Sequence, residues 1–527
     1  MSVKGELPEE LLEFLRMEGG HSLIVHGEPG SGKTTLFLQL IEALDVEQKT
    51  LYISTRVSDM SLYLQFPWLR DRVRRNRLLM DARSFLRSIS VDPAMSSNYE
   101  DIQRSARALL NTLFFSGDYE MPDTVVRREL QKLEGFIEGE DDFDASDGES
   151  LIFDMGSDMP EIDLAYDTVE AALPERTLIV FDSIDALSEK YGLPSNKLIM
   201  TIQKDLVESS GANVVYILES SGSAHIDYLA DGVIYLTMEE LEGRRYRQLI
   251  ISKLRGFEIR NHRHTISLSG GRISDMSFEE WPRLKNPPLW NMKAPFHDGD
   301  CYSTGNRYID SILGGGLSPS DTLLIEVSSD APRDYLDGLL LQIVAQFARE
   351  GHGVSFLPQR EMSREEVAKS MSQKIIPFEE IEENIHLLEP AGSSGFTDRS
   401  ATNWLDGSDL KTDLDWEGIK YSLRKKKAPF LSIVAMDSLQ AIYGSDAPLH
   451  LFEHIGAVKG SNGIFIAIMD STDEHLERIA AISRRHLVMD MLHNAPVIYG
   501  KRPFSGFYGM KPSVKDGSIL LELIPIS

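Results

Sequence analysis

Gly27-Glu-Pro-Gly-Ser-Gly-Lys-Thr-Thr35 fits G-x-x-x-x-G-K-[ST], a spacing that can cradle a polyphosphate. Gly27, Gly30 and Gly32 let backbone N–H groups turn inward, and the helix that starts near Lys33 adds the positive end of its dipole. Glu28, Pro29 and Ser31 complete the loop. Lys33 is placed to reach the β and γ phosphates, and Thr34 supplies a hydroxyl for Mg²⁺, with Thr35 as the second choice. These residues predict a site for ATP and Mg²⁺. The other half of such a site is a carboxylate, and Thr177-Leu-Ile-Val-Phe-Asp182 is an apolar strand that ends in one. Asp182 is therefore the expected Walker B residue, holding Mg²⁺ through water from the carboxyl edge of a parallel sheet, and Asp185 is the second choice.

The elements that position these groups follow from hydrophobic pattern. Leu23-Ile24-Val25 reads as a buried strand, and Leu36, Leu38, Leu40 and Ile41 begin a helix. Further strands are expected at Thr50 to Ser54, Leu178 to Phe181, Asn213 to Leu218, Gly232 to Thr237 and Arg247 to Lys253. Strands alternating with helical segments predict an α/β fold with a mostly parallel sheet. Residues 62–174 read as a charged insertion. It contains the acidic run Glu138-Gly-Glu-Asp-Asp-Phe-Asp-Ala-Ser-Asp-Gly-Glu149, which reads as a solvated loop; Asp142, Asp144, Ser146 and Gly148 only loosely match a calcium loop. The proline-dense Trp281-Pro-Arg-Leu-Lys-Asn-Pro-Pro-Leu-Trp290 reads as a connector. The expected domains are 1–280, a linker at 281–300, and 301–527. In the last of these, strands at Thr322 to Val327 and Val354 to Leu357 flank a helix from Leu336 to Glu350. Leu431-Ser-Ile-Val-Ala-Met-Asp-Ser438 repeats the strand ending in Asp182-Ser183, which signals an internal duplication.

Composition limits the partners. The chain has 527 residues, 42% hydrophobic and 26% charged, which is ordinary globular usage for two large domains. Lys plus Arg number 54 and Asp plus Glu 82, a net charge of −28 that repels nucleic acid and anionic membrane. DNA is thus an unfavoured partner. The one cysteine, Cys301, leaves no intramolecular disulfide and no thiolate zinc set, and fits a reducing cytoplasm. No apolar run has the length of a membrane span.

The two Asp-Ser strand ends, with Ser303-Thr-Gly, Ile309-Asp and Leu313-Gly-Gly-Gly-Leu317 ahead of the second copy, resemble the RecA-like ATPases of the KaiC type. That resemblance implies two tandem P-loop NTPase domains. In the second, the phosphate loop is replaced by Val327-Ser-Ser-Asp-Ala-Pro-Arg-Asp-Tyr335, without glycine, so the domain is expected to be degenerate. Ile251-Ser-Lys-Leu-Arg-Gly256 resembles the K-x-R-G strand end used against a neighbour's nucleotide. Lys253 and Arg255 are thereby implied as catalytic finger residues alongside Lys33 and Asp182, on one face by alternation, and a homo-oligomer is implied. The paired glutamates that follow the second strand in that family are missing from Ser54-Thr-Arg-Val-Ser58; Glu219 and Asp59 are the possible substitutes, and hydrolysis is expected to be slow.

One intact P-loop, a degenerate second copy, basic clusters, and the segments Tyr52-Ile-Ser-Thr-Arg-Val-Ser58 and Phe66-Pro-Trp68 are similar to the archaeal gas-vesicle regulators called GvpD. The resemblance implies an ATP-dependent regulator that acts on a protein partner, a transcriptional activator, through arginine-rich regions. Arg244, Arg245 and Arg247, and Arg70, Arg72, Arg74, Arg75 and Arg77, are the candidates for that contact. Each cluster, like Lys425-Lys-Lys427, also reads as a solvated face. The competing readings are a recombinase-like ATPase on DNA and a KaiC-like signalling ATPase.

Overall fold

The computed structural model describes residues 7–44, 47–55, 62, 64–66, 78–81, 159–219, 224–282, 301–359, 363–374, 378–390, 403–515 and 518–526. Asp59, Arg70 to Arg77, the acidic run and most of the connector lie outside them. The chain divides into two compact units: Met1–Glu239 with Arg247–Asp275, and Glu240–Tyr246 with Met276–Ser527.

The first unit is built on β1 (Ser22–Gly27), β2 (Lys49–Ser54), β3 (Leu78–Asp81), β4 (Thr177–Asp182), β5 (Asn213–Leu218), β6 (Gly232–Leu241), β7 (Arg244–Leu254), β8 (Arg263–Ser267) and β9 (Ser274–Asp275), except that the tip of the β6–β7 hairpin, Glu240–Tyr246, counts with the second unit. They form one sheet in the order β3-β2-β4-β5-β1-β6-β7-β8-β9. Pairing is parallel from β3 to β6 through β1, and antiparallel from β7 to β9. The central strands are apolar on both faces because both are covered. Leu23 and Val25 point into one cluster with Leu36, Phe37 and Leu40; Ile24 points into another with Ile179, Phe181 and Ile202. Each such fully buried side chain contributes about 1.5–3 kcal/mol. The register aligns Ser54 with Asp182, Asp182 with Ile217, and His26 with Leu218. Gly27, Ser54 and Asp182 therefore leave the sheet at the same edge, where an open parallel sheet binds ligands.

The second unit carries β10 (Thr322–Val327), β11 (His352–Leu357), β12 (Ile385–Pro390), β13 (Asn403–Leu405), β14 (Lys427–Ala435), β15 (Ile464–Asp470), β16 (Arg485–Leu492), β17 (Ala495–Arg502), β18 (Tyr508–Lys515) and β19 (Ser518–Pro525). Their order is β13-β12-β11-β14-β15-β10-β16-β17-β18-β19. With β13 set aside as an added edge, this repeats the first sheet strand for strand: β10 stands for β1, β11 for β2, β14 for β4 and β15 for β5. The molecule is thus two tandem α/β units of P-loop NTPase type. The Ser303-Thr-Gly and Ile309-Asp residues form a cap ahead of β10. Thr304 donates from N and Oγ1 to Asp310 Oδ1 at 2.8 and 2.7 Å, and Asn306 caps the helix Arg307–Ile312.

Two differences from the sequence reading have plain causes. β6 and β7 run on to meet at a tight turn, where Glu242 and Gly243 have φ of 51° and 74°. Such turns match strand twist, but charged residues on both strands hide the alternation. Trp281, read as part of a connector, is buried in the second unit, where a Cβ on Gly338 would lie 2.2 Å from its ring. Among the described residues no helix is long and apolar enough to cross a membrane.

Candidate nucleotide-binding site

The loop from Gly27 to Gly32 joins β1 directly to the helix Lys33–Leu44. A Cβ on Gly27 would lie 2.7 Å from Ser31 Oγ and 3.0 Å from the Leu236 carbonyl oxygen, so only glycine fits. Gly32 has a φ of 106°, a conformation that costs other residues roughly 1–2 kcal/mol. Gly30, also at positive φ, has open space where a side chain would be. Glu28 and Pro29 form the exposed crest of the loop. Lys33 is buried to 9% exposure and folds its ammonium onto the carbonyl oxygens of Gly27 and Glu28. Ser31 Oγ is buried and has no hydrogen-bond partner among the described residues.

Thr34 donates from Oγ1 to Asp182 Oδ2 at 3.1 Å, so the two expected metal-site groups meet. Thr35 is buried at the foot of the helix. β2 and the residue after it add two hydroxyls that sequence reasoning did not assign. Tyr52 OH donates to the same Oδ2 of Asp182. Burial first, and the Asp182 charge second, push this phenol well above its usual range, which keeps it a donor. Thr55 holds the main chain: its N and Oγ1 donate to the Asp182 carbonyl at 2.8 and 3.0 Å, and Oγ1 accepts from Ser183 N at 3.1 Å. The signal available in the sequence was Tyr52 on the strand beside the Walker B strand, but an aromatic in a strand reads as core. Asp185, the second choice, is engaged elsewhere, accepting from Glu219 N at 2.7 Å.

These residues fit Mg·ATP. A loop with glycine at 27, 30 and 32, an unpartnered buried hydroxyl at Ser31, and a Thr–Asp pair at the helix N-terminus supply phosphate donors and a metal-facing oxygen pair. The second unit has the same frame with different contents. Val327 to Arg333 matches Gly27 to Lys33 in length, and the helix Arg333–Arg349 follows. Pro332 stands where Gly32 does and has no N–H, while Arg333 takes the place of Lys33 and lies 3.8 Å from Asp470. Tyr335, in the place of Thr35, donates to the Glu279 carbonyl at 2.8 Å.

The implied finger residues lie apart in character. Lys253, on β7, turns its ammonium onto the carbonyls of Asp227 and Ala230, 3.5 and 2.5 Å away. β7 ends at Leu254 and the chain turns at Gly256, so strand alternation does not carry Arg255 onto the Lys253 face. Arg255 is 79% exposed and pairs with Asp231 at 3.6 Å.

Arg244, expected at a partner surface, is instead buried. Its guanidinium lies 4.4 Å from the Tyr499 ring and 4.2 Å from that of Phe504, and donates to the carbonyls of Ser505 and Gly500 at 2.8 and 2.9 Å. Arg245 is exposed and Arg247 half-buried.

Residues 11–252 match the family model described as GvpD gas vesicle protein, P-loop domain. Over 517 residues the chain is 23% identical to protein GvpD2 of Halobacterium salinarum, covering 95% of this chain and 93% of the relative. Protein GvpD1 of the same organism is 21% identical over 566 residues, with the same coverage. A UPF0273 protein of Saccharolobus solfataricus is 25% identical over 134 residues, 24% of this chain and 46% of the relative. Together with the loop, the Walker B strand and the repeated sheet, these likenesses give the first unit a P-loop domain of the GvpD type and make the chain similar to the GvpD proteins over most of its length.

Proposed function

We propose that this chain is an ATP-binding regulatory protein, a nucleotide-dependent switch that acts on a protein partner such as a transcriptional activator. One observation carries the reading: glycine loop, lysine and Thr–Asp pair converge in the first unit, while the second unit keeps the frame without them. Gly27 to Gly32 and Lys33 hold the phosphates, and Thr34 and Asp182 hold Mg²⁺. The metal, when bound, neutralises phosphate charge. A site of this kind favours occupancy over turnover, because among the described residues no glutamate pair follows β2 to activate water. Arg255 is available to reach a nucleotide on a second copy of the chain, so a homo-oligomer belongs to the same reading. The net charge of −28 favours a protein partner over DNA.

The test is capture of partners from native lysate by the purified chain, with Mg·ATP and without nucleotide, beside Lys33→Ala. A specific partner should be enriched about tenfold by Mg·ATP, and the variant should lose that enrichment. Equal capture in all three conditions, or submicromolar binding of DNA in physiological salt, would overturn the reading.

A further inference from the structure

We propose that Tyr52 is a positioning residue for the Walker B carboxylate, and that it sets how strongly Mg²⁺ enhances nucleotide binding. The inference rests on the reading of Gly27 to Thr34 as an Mg·ATP site.

Three features of the first unit carry it. Tyr52 and Thr34 both donate to Asp182 Oδ2, one from the neighbouring strand and one from the helix that follows the phosphate loop. Among the described residues no hydrogen bond reaches Oδ1, which leaves that oxygen to face a metal or its water. The Thr34 hydroxyl is itself a metal-facing group, so whenever Thr34 turns its oxygen away from Asp182, the Tyr52 bond alone holds the carboxylate's orientation. Tyr52 is suited to this because burial restrains it: the residue is 1% exposed and belongs to the core cluster that includes Leu36, Leu178 and Val180. Its backbone is fixed in register opposite Val180, two residues from Asp182 on the same face of the sheet. Thr55, the residue after β2, clamps the Asp182 main chain, so this stretch holds both the side chain and the main chain of Asp182.

The second unit gives an internal comparison. β11 stands in the place of β2 and reads His352-Gly-Val-Ser-Phe-Leu357, with no tyrosine. There the strand β14 ends at Ala435, and Asp437 lies inside the helix Met436–Tyr443. The unit without phosphate-binding glycines also lacks the tyrosine and the strand-end carboxylate. Tyrosine at this place thus accompanies the intact site rather than the sheet as such.

Removing one hydrogen bond to a charged oxygen, with the ring kept, should cost about tenfold in the equilibrium it controls. The experiment is titration of a fluorescent ATP analogue into the full chain and Tyr52→Phe, in EDTA and at increasing Mg²⁺. The variant should bind in EDTA within about twofold of the parent and lose about tenfold of the enhancement by Mg²⁺, with a matching rise in the Mg²⁺ needed for half of it. In an Asp182→Asn background, Tyr52→Phe should have no further effect, because the residue acts through that carboxylate. This cycle also guards against a folding defect, which would lower binding in both backgrounds. Unaltered Mg²⁺ dependence, equal losses in EDTA and Mg²⁺, or additive effects of the two substitutions would overturn the proposal. If the parent shows no Mg²⁺-dependent binding, or Lys33→Ala leaves it intact, the site reading itself fails. Parent binding that Lys33→Ala removes, with Tyr52→Phe silent, sinks the role of Tyr52 alone.

Discussion

The guanidinium of Arg244 sits between two aromatic rings and satisfies two backbone carbonyls, a cage built from residues more than 250 positions away in sequence. Charged neighbours such as Glu242, Arg245 and Arg247 made it look like a surface group, and no local pattern could show Tyr499 and Phe504 closing over it. The same blindness hid Tyr52, whose polar tip matters only because β4 lies beside β2. Gly27, Lys33, Thr34 and Asp182 were legible because their chemistry is local or strand-terminal. Truncating Arg244 removes its cation–π contacts and its hydrogen bonds to the Ser505 and Gly500 carbonyls. Arg244→Ala should therefore destabilise the second unit by roughly 2–4 kcal/mol, read as a lowered urea midpoint. Exposed Arg245→Ala should change it by less than about 0.5 kcal/mol. Equal effects of the two would show that the cage contributes nothing.

Among the elements, β11, β12 and β14 place a polar row inside the second sheet. Ser355 is in register with both His386 and Ser432, and Ser432 Oγ meets His454 Nε2 at 3.2 Å. Burial holds the imidazoles of His386 and His454 below the ordinary 6.5. An unfolded chain would take up protons at these positions that the folded unit refuses. Their contribution is thus present above about pH 6.5 and lost as the pH falls through the depressed folded values. Glu326 acts in the same direction at lower pH. Burial raises its carboxyl, but hydrogen bonds from His486 and Lys501 outweigh that and hold it below 4.5, so its stabilisation disappears as it is protonated. His264 in the first unit has the opposite sign. Burial opposes its charge, yet Asp275 at 2.8 Å raises its pKa above 6.5, so its contribution is lost on going alkaline. The Trp416 ring, edge-on to His454 at 5.7 Å, reports on the second unit. Urea midpoints followed by tryptophan fluorescence should fall between pH 7.5 and 5.5, and His386→Phe should flatten that fall. A midpoint independent of pH in this range would contradict the assignment. None of this row was readable beforehand, since it depends on the register of three strands far apart in sequence.

On the scale of the whole chain, the duplication is the organising fact. It was legible in two Asp-Ser pairs that follow apolar runs and in a glycine-rich lead-in, and the repeated strand order from β12 to β19 extends it well beyond those residues. Pattern alone did not give the added edge β13 or the antiparallel run β16 to β19, although Asp516-Gly517 between β18 and β19 is a strong hairpin signal. Copying a frame does not copy its chemistry. The loops at Gly27 and Val327 have the same length, yet Pro332 removes a donor N–H and Arg333 lies near Asp470. The account therefore predicts an asymmetric molecule, with nucleotide in the first unit alone. Isothermal calorimetry of Mg·ATP binding to the full chain tests this most directly. It should give one nucleotide per chain, and Lys33→Ala should abolish the heat; two nucleotides per chain, or an unchanged isotherm in the variant, would contradict it.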